Sequence, residues 1–241
     1  MIIGDWAKEF NLTATQQGEI FGAGLWPFAI SIVLFSLIID KIGYKAAMIF
    51  GFVCHVLSLL ITVTAKSYNQ LYLGMFIVAL GNGTVEAYIN PMVATMFSKD
   101  KTKWLNILHA GWPGGLVLGG ILTIALDTQM GASIALSLGL SLWKVKILLL
   151  AIPVLVYIVI LLGQKFPINE RVAAGVSYHE MIREIGAMGL FLVFWMIYSE
   201  LSRVGGIASP VLTGAFLASA FALAVGVALE GGGRPMYIFM L

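Results

Sequence analysis

Three polar side chains recur at four-residue spacing inside one long apolar run. Asn82, Glu86 and Asn90 lie between Ser67 and Ser98, and that spacing places them along one face of a helix. A carboxylate held in hydrocarbon costs roughly 2.5 to 3.5 kcal/mol on insertion scales, so sequences keep one mainly where it faces a protein interior or a watery cavity. Acids removed from water exchange charge for a proton more readily. Glu86 can therefore serve as a proton carrier that also accepts hydrogen bonds from hydroxyl groups. The alternative is a buried acid satisfied by Asn82 or by a backbone group. Asn82 and Asn90 can bind hydroxyls or join helices. Pro91 follows directly; it removes one main-chain donor, frees the carbonyl of Ala87 and predicts a kink beside Glu86.

A second group lies further along. In Asn106-Ile-Leu-His109-Ala-Gly111-Trp112-Pro113, Asn106, His109 and Pro113 share one helix face. His109 reads either as a second titrating group or as a polar residue near the interface. Pro113 predicts a second kink, and Gly111, Gly115 and Gly119 form a ridge suited to close helix contact. Trp26, next to Pro27, has two readings: an aromatic face lining the cavity, or a packing residue at the lipid boundary. His55 stands alone in its span and reads as packing or a hydrogen bond.

The elements that must position these residues follow from composition. Of 241 residues, 60% are hydrophobic and 11% charged, with a mean hydropathy of +0.96. Soluble domains carry about 25% charged residues, so the class is an all-α, polytopic bundle of transmembrane helices. The net charge of +2, without a basic patch and interleaved aromatics, gives no footing for nucleic acid. The single cysteine, Cys54, excludes an internal disulfide and any multi-cysteine metal site. No cofactor or metal is expected. His179 and Glu180 lack the second histidine of a zinc-protease motif.

Spans of about 20 apolar residues are expected at Ile20 to Ile39, Ala46 to Ala65, Tyr68 to Phe97, Trp104 to Leu126 and Ile147 to Gly163. Two more are expected at Ile185 to Leu201 and Gly206 to Leu229, about seven in all. Asp5 to Gln17 reads as a polar loop, and 128–143 as a long loop with some interfacial helix. The connector carries an amphipathic helix at Val172 to Arg183. The organisation is then a bundle at 1–165, a connector at 166–184, two additional helices at 185–229, and the start of a further span at 230–241. Basic residues accumulate at Lys41 and Lys45, at Lys99, Lys101 and Lys103, and at Lys165, Arg171 and Arg183, which predicts that these loops are cytoplasmic and the N-terminus outside. An outside N-terminus without a signal sequence, together with the apolar stub after Arg234, suggests a fragment of a longer chain.

The loop Ser36-Leu-Ile-Ile-Asp40-Lys41-Ile-Gly43-Tyr44-Lys45 is a tight turn with a carboxylate and cations around a glycine. Its pattern resembles the signature loop of the major facilitator superfamily. Asp40, Lys41, Gly43 and Lys45 fall on the pattern, while Ser36 replaces a glycine and Tyr44 a base. Glu86, Asn90 and Pro91 resemble the Glu-x-x-x-Asn-Pro element of the fourth helix in the fucose/glucose–galactose proton-symporter branch. The resemblance covers about Asp5 to Lys165 and implies helices two to six of a twelve-helix fold. His109 and Trp112 stand where those symporters tend to carry Gln and Asn.

By this resemblance the loop is a cytoplasmic gate and the chain a secondary transporter in a bacterial inner membrane, not an enzyme. Its expected partners are a proton, a sugar or related polar solute, and the lipid bilayer. An antiporter of drugs or metabolites on the same fold is the second reading. A polytopic membrane enzyme or assembly factor is a third, and one buried acid with scattered histidines offers it little.

Overall fold

The computed structural model describes residues 2–177 continuously, and beyond them 180, 191, 195–199, 202, 213–214, 216–218 and 221. The described residues are helical, joined by short turns. In chain order the helices are α1 (Ile2–Glu9), α2 (Ala14–Ala23), α3 (Trp26–Val63), α4 (Tyr68–Met96), α5 (Lys101–Leu126), α6 (Gln129–Leu138), α7 (Leu142–Leu148), α8 (Ala151–Leu162) and α9 (Glu170–Ala173).

Among the described residues, four helices are long and apolar enough to cross a membrane: Ala14–Val63, Tyr68–Met96, Lys101–Leu126 and Leu142–Leu162. The first, at 50 residues, would run about 75 Å if straight, more than twice the thickness of a bilayer core. It does not run straight. Gly43 adopts φ 76° and ψ 159° inside it, a conformation that only glycine takes without strain. The chain reverses there, which gives α3 two arms, 26–42 and 44–63. Their contacts with α4 prove the reversal. Along the first arm, Gly24 meets Met75 and Ser31 meets Gly83, so this arm runs parallel to α4. Along the second, Thr62 meets Gly74 and Cys54 meets Gly81, so it runs antiparallel.

Backbone proximity makes these contacts. A Cβ at Gly83 would collide with the carbonyl oxygen of Phe28 and with Ser31, and one at Gly74 with Thr62. Small hydroxyls complete the seam. Ser31 Oγ donates to Leu80 O at 2.7 Å and lies 3.1 Å from Thr84 Oγ1, while Ser58 Oγ donates to Gly74 O at 2.7 Å. Larger side chains close the two ends. Trp6, Ile20, Leu71 and Trp143 pack together at one end, and Ile39, Tyr44, Met48 and Tyr88 at the other.

The expected spans from Ile20 to Gly163 lie in these helices and overrun them by at most two residues at their ends, the first crossing the break between α2 and α3 and the fifth the turn between α7 and α8. One expected loop does not hold. Asp5 to Gln17 is mostly helix, because Thr13 and Gln16 form a capping box that starts α2 early. Residues 128–143 contain α6, which ends at Gly139 in the left-handed region. The amphipathic helix does not begin at Val172 and run on, since α9 stops at Ala173 and Gly175 takes φ 71°; the rest of that stretch is largely outside the described residues. So are most of the two expected helices at 185–229 and all of 230–241.

Helix α5 is held at its ends and open along its middle. Lys101 Nζ lies 3.0 Å from a Glu170 oxygen, and Lys146 Nζ lies 2.5 Å from Asp127 Oδ1. Lys146 is 5% exposed. Its hydrogen bond, and secondly its charge, hold the Asp127 carboxyl below the usual carboxylate range. A lowered folded value stabilises the fold above the ordinary carboxylate pKa, and the contribution disappears as pH falls through the folded value. The pair therefore makes stability flat around neutrality and declining only below about pH 4. Asp127→Asn is expected to destabilise more than Lys146→Met, because it leaves a buried ammonium without its carboxylate. Thermal unfolding in detergent across pH measures both effects. Gly83→Val, which forces α4 from the first arm, is expected to cost roughly 1–3 kcal/mol in the same assay.

Candidate functional site

The first arm of α3 touches α4 at Gly83 and parts from it further along. The gap is a cleft of about 670 Å³ lined by Ser36 and Asp40 on the arm, Glu86, Asn90 and Pro91 on α4, and Arg171 on α9. Helix α4 supplies the polar pair because positions four apart lie one above the other. Asn90 Nδ2 donates to Glu86 Oε1 at 2.8 Å and, less closely, to Glu86 O at 3.3 Å. That donation fixes the amide orientation. Asn90 Oδ1 is then a buried acceptor with no hydrogen-bond partner among the described residues. Helix α4 continues through Pro91 as one helix.

The signature loop borders the cleft. Asp40 lines it and also lines a second cavity of about 220 Å³ beside Gly43, Tyr44, Lys45 and Phe166. Lys41 and Lys45 are exposed on either side of the reversal. The segment carrying Asn169, Glu170 and Arg171 covers the end of the cleft, where Asn169 Oδ1 accepts the N–H of Arg171. Lys101 reaches both Glu170 oxygens, at 3.0 and 3.1 Å. The three basic loops around Lys41, Lys101 and Arg171 therefore sit on one side of the bundle.

Not every sequence-predicted residue comes to this cleft. Asn82 turns away; its Oδ1 lies 3.0 Å from His55 Nε2. Each four-residue step overshoots a full turn by about 40°, so Asn82 and Asn90 diverge although each lies close to Glu86 in projection. Trp26 packs edge-on against Phe76, ring centroids 5.2 Å apart, outside the cleft lining. Asn106 and His109 are exposed on α5, and Pro113 sits on the same open stretch, where Gly111, Gly115 and Gly119 meet nothing within 4 Å. Among the described residues no group of three His, Cys, Asp or Glu side chains could hold a metal ion. Sequence reasoning passed over Ser36, Thr95 and Arg171 as cleft residues. Only their helical register relative to Asp40 and Asn90 could have indicated the first two.

Comparison with known proteins decides the family. Residues 1–239 match the profile of the Major Facilitator Superfamily. The chain belongs to that superfamily. Membership makes it an integral membrane protein of a transporter family and not an enzyme. Among curated relatives, the Protein TsgA homolog of Buchnera aphidicola is 33% identical over 104 residues, covering 42% of this chain and 26% of that protein. The Gentisate transporter of Corynebacterium glutamicum is 29% identical over 123 residues, covering 50% of this chain and 27% of that protein. The matched part thus spans about a quarter of the length of these relatives. No solved structure matches the chain.

Within this facilitator-family bundle, the Lys101–Glu170 pair holds the cover of the cleft. Both side chains are about half exposed, so the pair contributes at most about 1 kcal/mol. In a Cys54→Ala, Ala87→Cys background, Glu170→Lys is expected to raise the labelling rate of the cleft cysteine by a charged thiol reagent, up to roughly fivefold. The exchange Lys101→Glu with Glu170→Lys is expected to restore it.

Proposed function

We propose that the whole protein is a proton-coupled secondary transporter importing a sugar or related hydroxyl-bearing solute, and that Glu86 is its shared site for solute and proton. One observation supports this above the others. Glu86 is a carboxylate on an apolar helix, it lines a cleft large enough for a small solute, and Asn90, which lines the same cleft, donates to it while its own oxygen is buried without a partner among the described residues. Ionised, Glu86 accepts hydrogen bonds from solute hydroxyls; protonated, it crosses an occluded state at lower electrostatic cost.

In this reading Asp40, Lys41, Gly43 and Lys45 form the cytoplasmic gate, and the Glu170–Arg171 segment is part of the same closure. The first 165 residues form a half-bundle of the fucose/glucose–galactose symporter type, followed by two further spans at 185–229. Alternating access needs an opposing repeat across the central site, so transport is assigned to the whole protein. A bacterial inner membrane fits the bacterial sources of both relatives. The likeness to a gentisate transporter favours a second reading, an aromatic acid as solute, with Arg171 as its cationic contact in the cleft.

The test is solute-driven proton movement in proteoliposomes of the full-length protein, with fucose, galactose and gentisate supplied in turn. The expected result is external alkalinisation with a sugar, abolished in Glu86→Gln. Alkalinisation with gentisate alone would select the second reading. Uptake in Glu86→Gln equal to the parent at every pH would remove Glu86 from coupling.

A further inference from the structure

A second polar cluster lies on the other side of α4, and it joins three helices. His55, on the second arm of α3, lies 3.1 Å from Tyr157 Oη of α8 through Nδ1 and 3.0 Å from Asn82 Oδ1 of α4 through Nε2. The His55 and Tyr157 rings meet edge to face at 6.0 Å, and Phe52 meets Tyr157 in the same way. With Asn82 presenting its oxygen, Nε2–H of His55 is the donor. A neutral ring then leaves Nδ1 to accept from the Tyr157 hydroxyl. Every polar atom that meets in the cluster has a partner of the right sense. Among the described residues, the titratable groups that face Tyr157 and with it this cluster are Tyr88 on α4 and Cys54 on the second arm. None of these is a carboxylate that would stabilise a charged imidazole.

Asn82 precedes Glu86 by one turn of the same rigid helix. We infer that His55 is a positioning residue: by gripping Asn82 and Tyr157 together it sets the rotation of α4 that turns Glu86 and Asn90 into the cleft. The significance for transport rests on the proposed function, but the geometry does not. Gly81 faces the arm that carries His55 and Gly83 faces the first arm; between them the His55 contact adds a side-chain constraint at Asn82. Without the His55 grip, α4 keeps the seam at Gly74, Gly81 and Gly83 but loses the constraint near Asn82. Small rotations then carry the Glu86 face away from the cleft.

The test reads that rotation directly. In a Cys54→Ala background, a reporter cysteine at Ala94, which lines the cleft, is compared with one at Met96, which is exposed outside it. Both are labelled with a charged methanethiosulfonate reagent on the full chain in detergent. His55→Leu is expected to lower the Ala94-to-Met96 rate ratio roughly threefold, the weight of an average interhelical hydrogen bond in a membrane protein. His55→Gln offers an acceptor and a donor at similar separation, and is expected to restore the parent ratio. Tyr157→Phe removes one hydroxyl and leaves the packing; it is expected to shift the ratio in the direction of His55→Leu, and the double variant no further than His55→Leu alone. An unchanged ratio in both His55→Leu and Tyr157→Phe overturns the inference. So does a ratio in His55→Gln as low as in His55→Leu. Because labelling is read without transport, failure of the solute assay leaves this result standing, and the reverse also holds.

Discussion

The close approach of α4 to both arms of α3 is the constraint on which the other features depend. Glycine at 74, 81 and 83 brings backbone within reach of backbone, and a membrane offers little hydrophobic force to bring helices together otherwise. Packing at this range makes short hydroxyls useful. Ser31, Ser58 and Thr84 donate across or along the seam to carbonyls that water cannot reach. The reversal at Gly43 makes the geometry possible, because it delivers two antiparallel arms to one central helix. A residue with a Cβ at that turn would carry strain of order 1–3 kcal/mol.

From that seam the positions of the larger side chains follow. The middle of the bundle is filled by Gly51, Cys54 and Ser58, so bulk is confined to the ends. Aromatic residues gather there in two clusters, one joining α1 and α7 to the start of α4, the other joining α8 to the turn at Gly43. The first arm can follow α4 closely only while the facing residues are small. Beyond Gly83 the residues on α4 are Glu86, Asn90 and Pro91, and the arm separates from them. The cleft lies in that gap. Helix α5 shows the opposite case. Without a seam it is exposed along its middle among the described residues and carries charged contacts at its two ends.

Much of this was legible in the sequence, for identifiable reasons. Apolar runs of about 20 residues need no partner to be recognised, and Gly43 announced its turn through the charges around it. The Glu86–Asn90 contact is a local property of helix spacing. Asn82 was misassigned to the same face because two four-residue steps accumulate about 80° of drift. The His55–Tyr157 contact spans 102 residues, and nothing local to either residue specifies it. Trp26 has an apolar body that suits a cavity wall or a neighbouring ring equally well, so only packing decides between them. The sequence leaves the bounds of helix α6 open, because its glycine, serine and alanine content weakens the apolar signal without forbidding helix.

The two polar clusters on α4 differ in a way that bears on their roles. At His55 both ring nitrogens meet a complementary partner, Asn82 Oδ1 and the Tyr157 hydroxyl, and these contacts join three helices. At Glu86 the balance is incomplete by design of the residues themselves. A carboxylate accepts at about four sites and an amide oxygen at two, yet one Asn90 N–H supplies the close donor between them. The buried Asn90 oxygen has no partner among the described residues, and an orphaned acceptor of this kind costs roughly 1–3 kcal/mol. One helix thus carries, a turn apart, a cluster whose contacts join three helices and a pair whose acceptors outnumber the donors that reach them among the described residues.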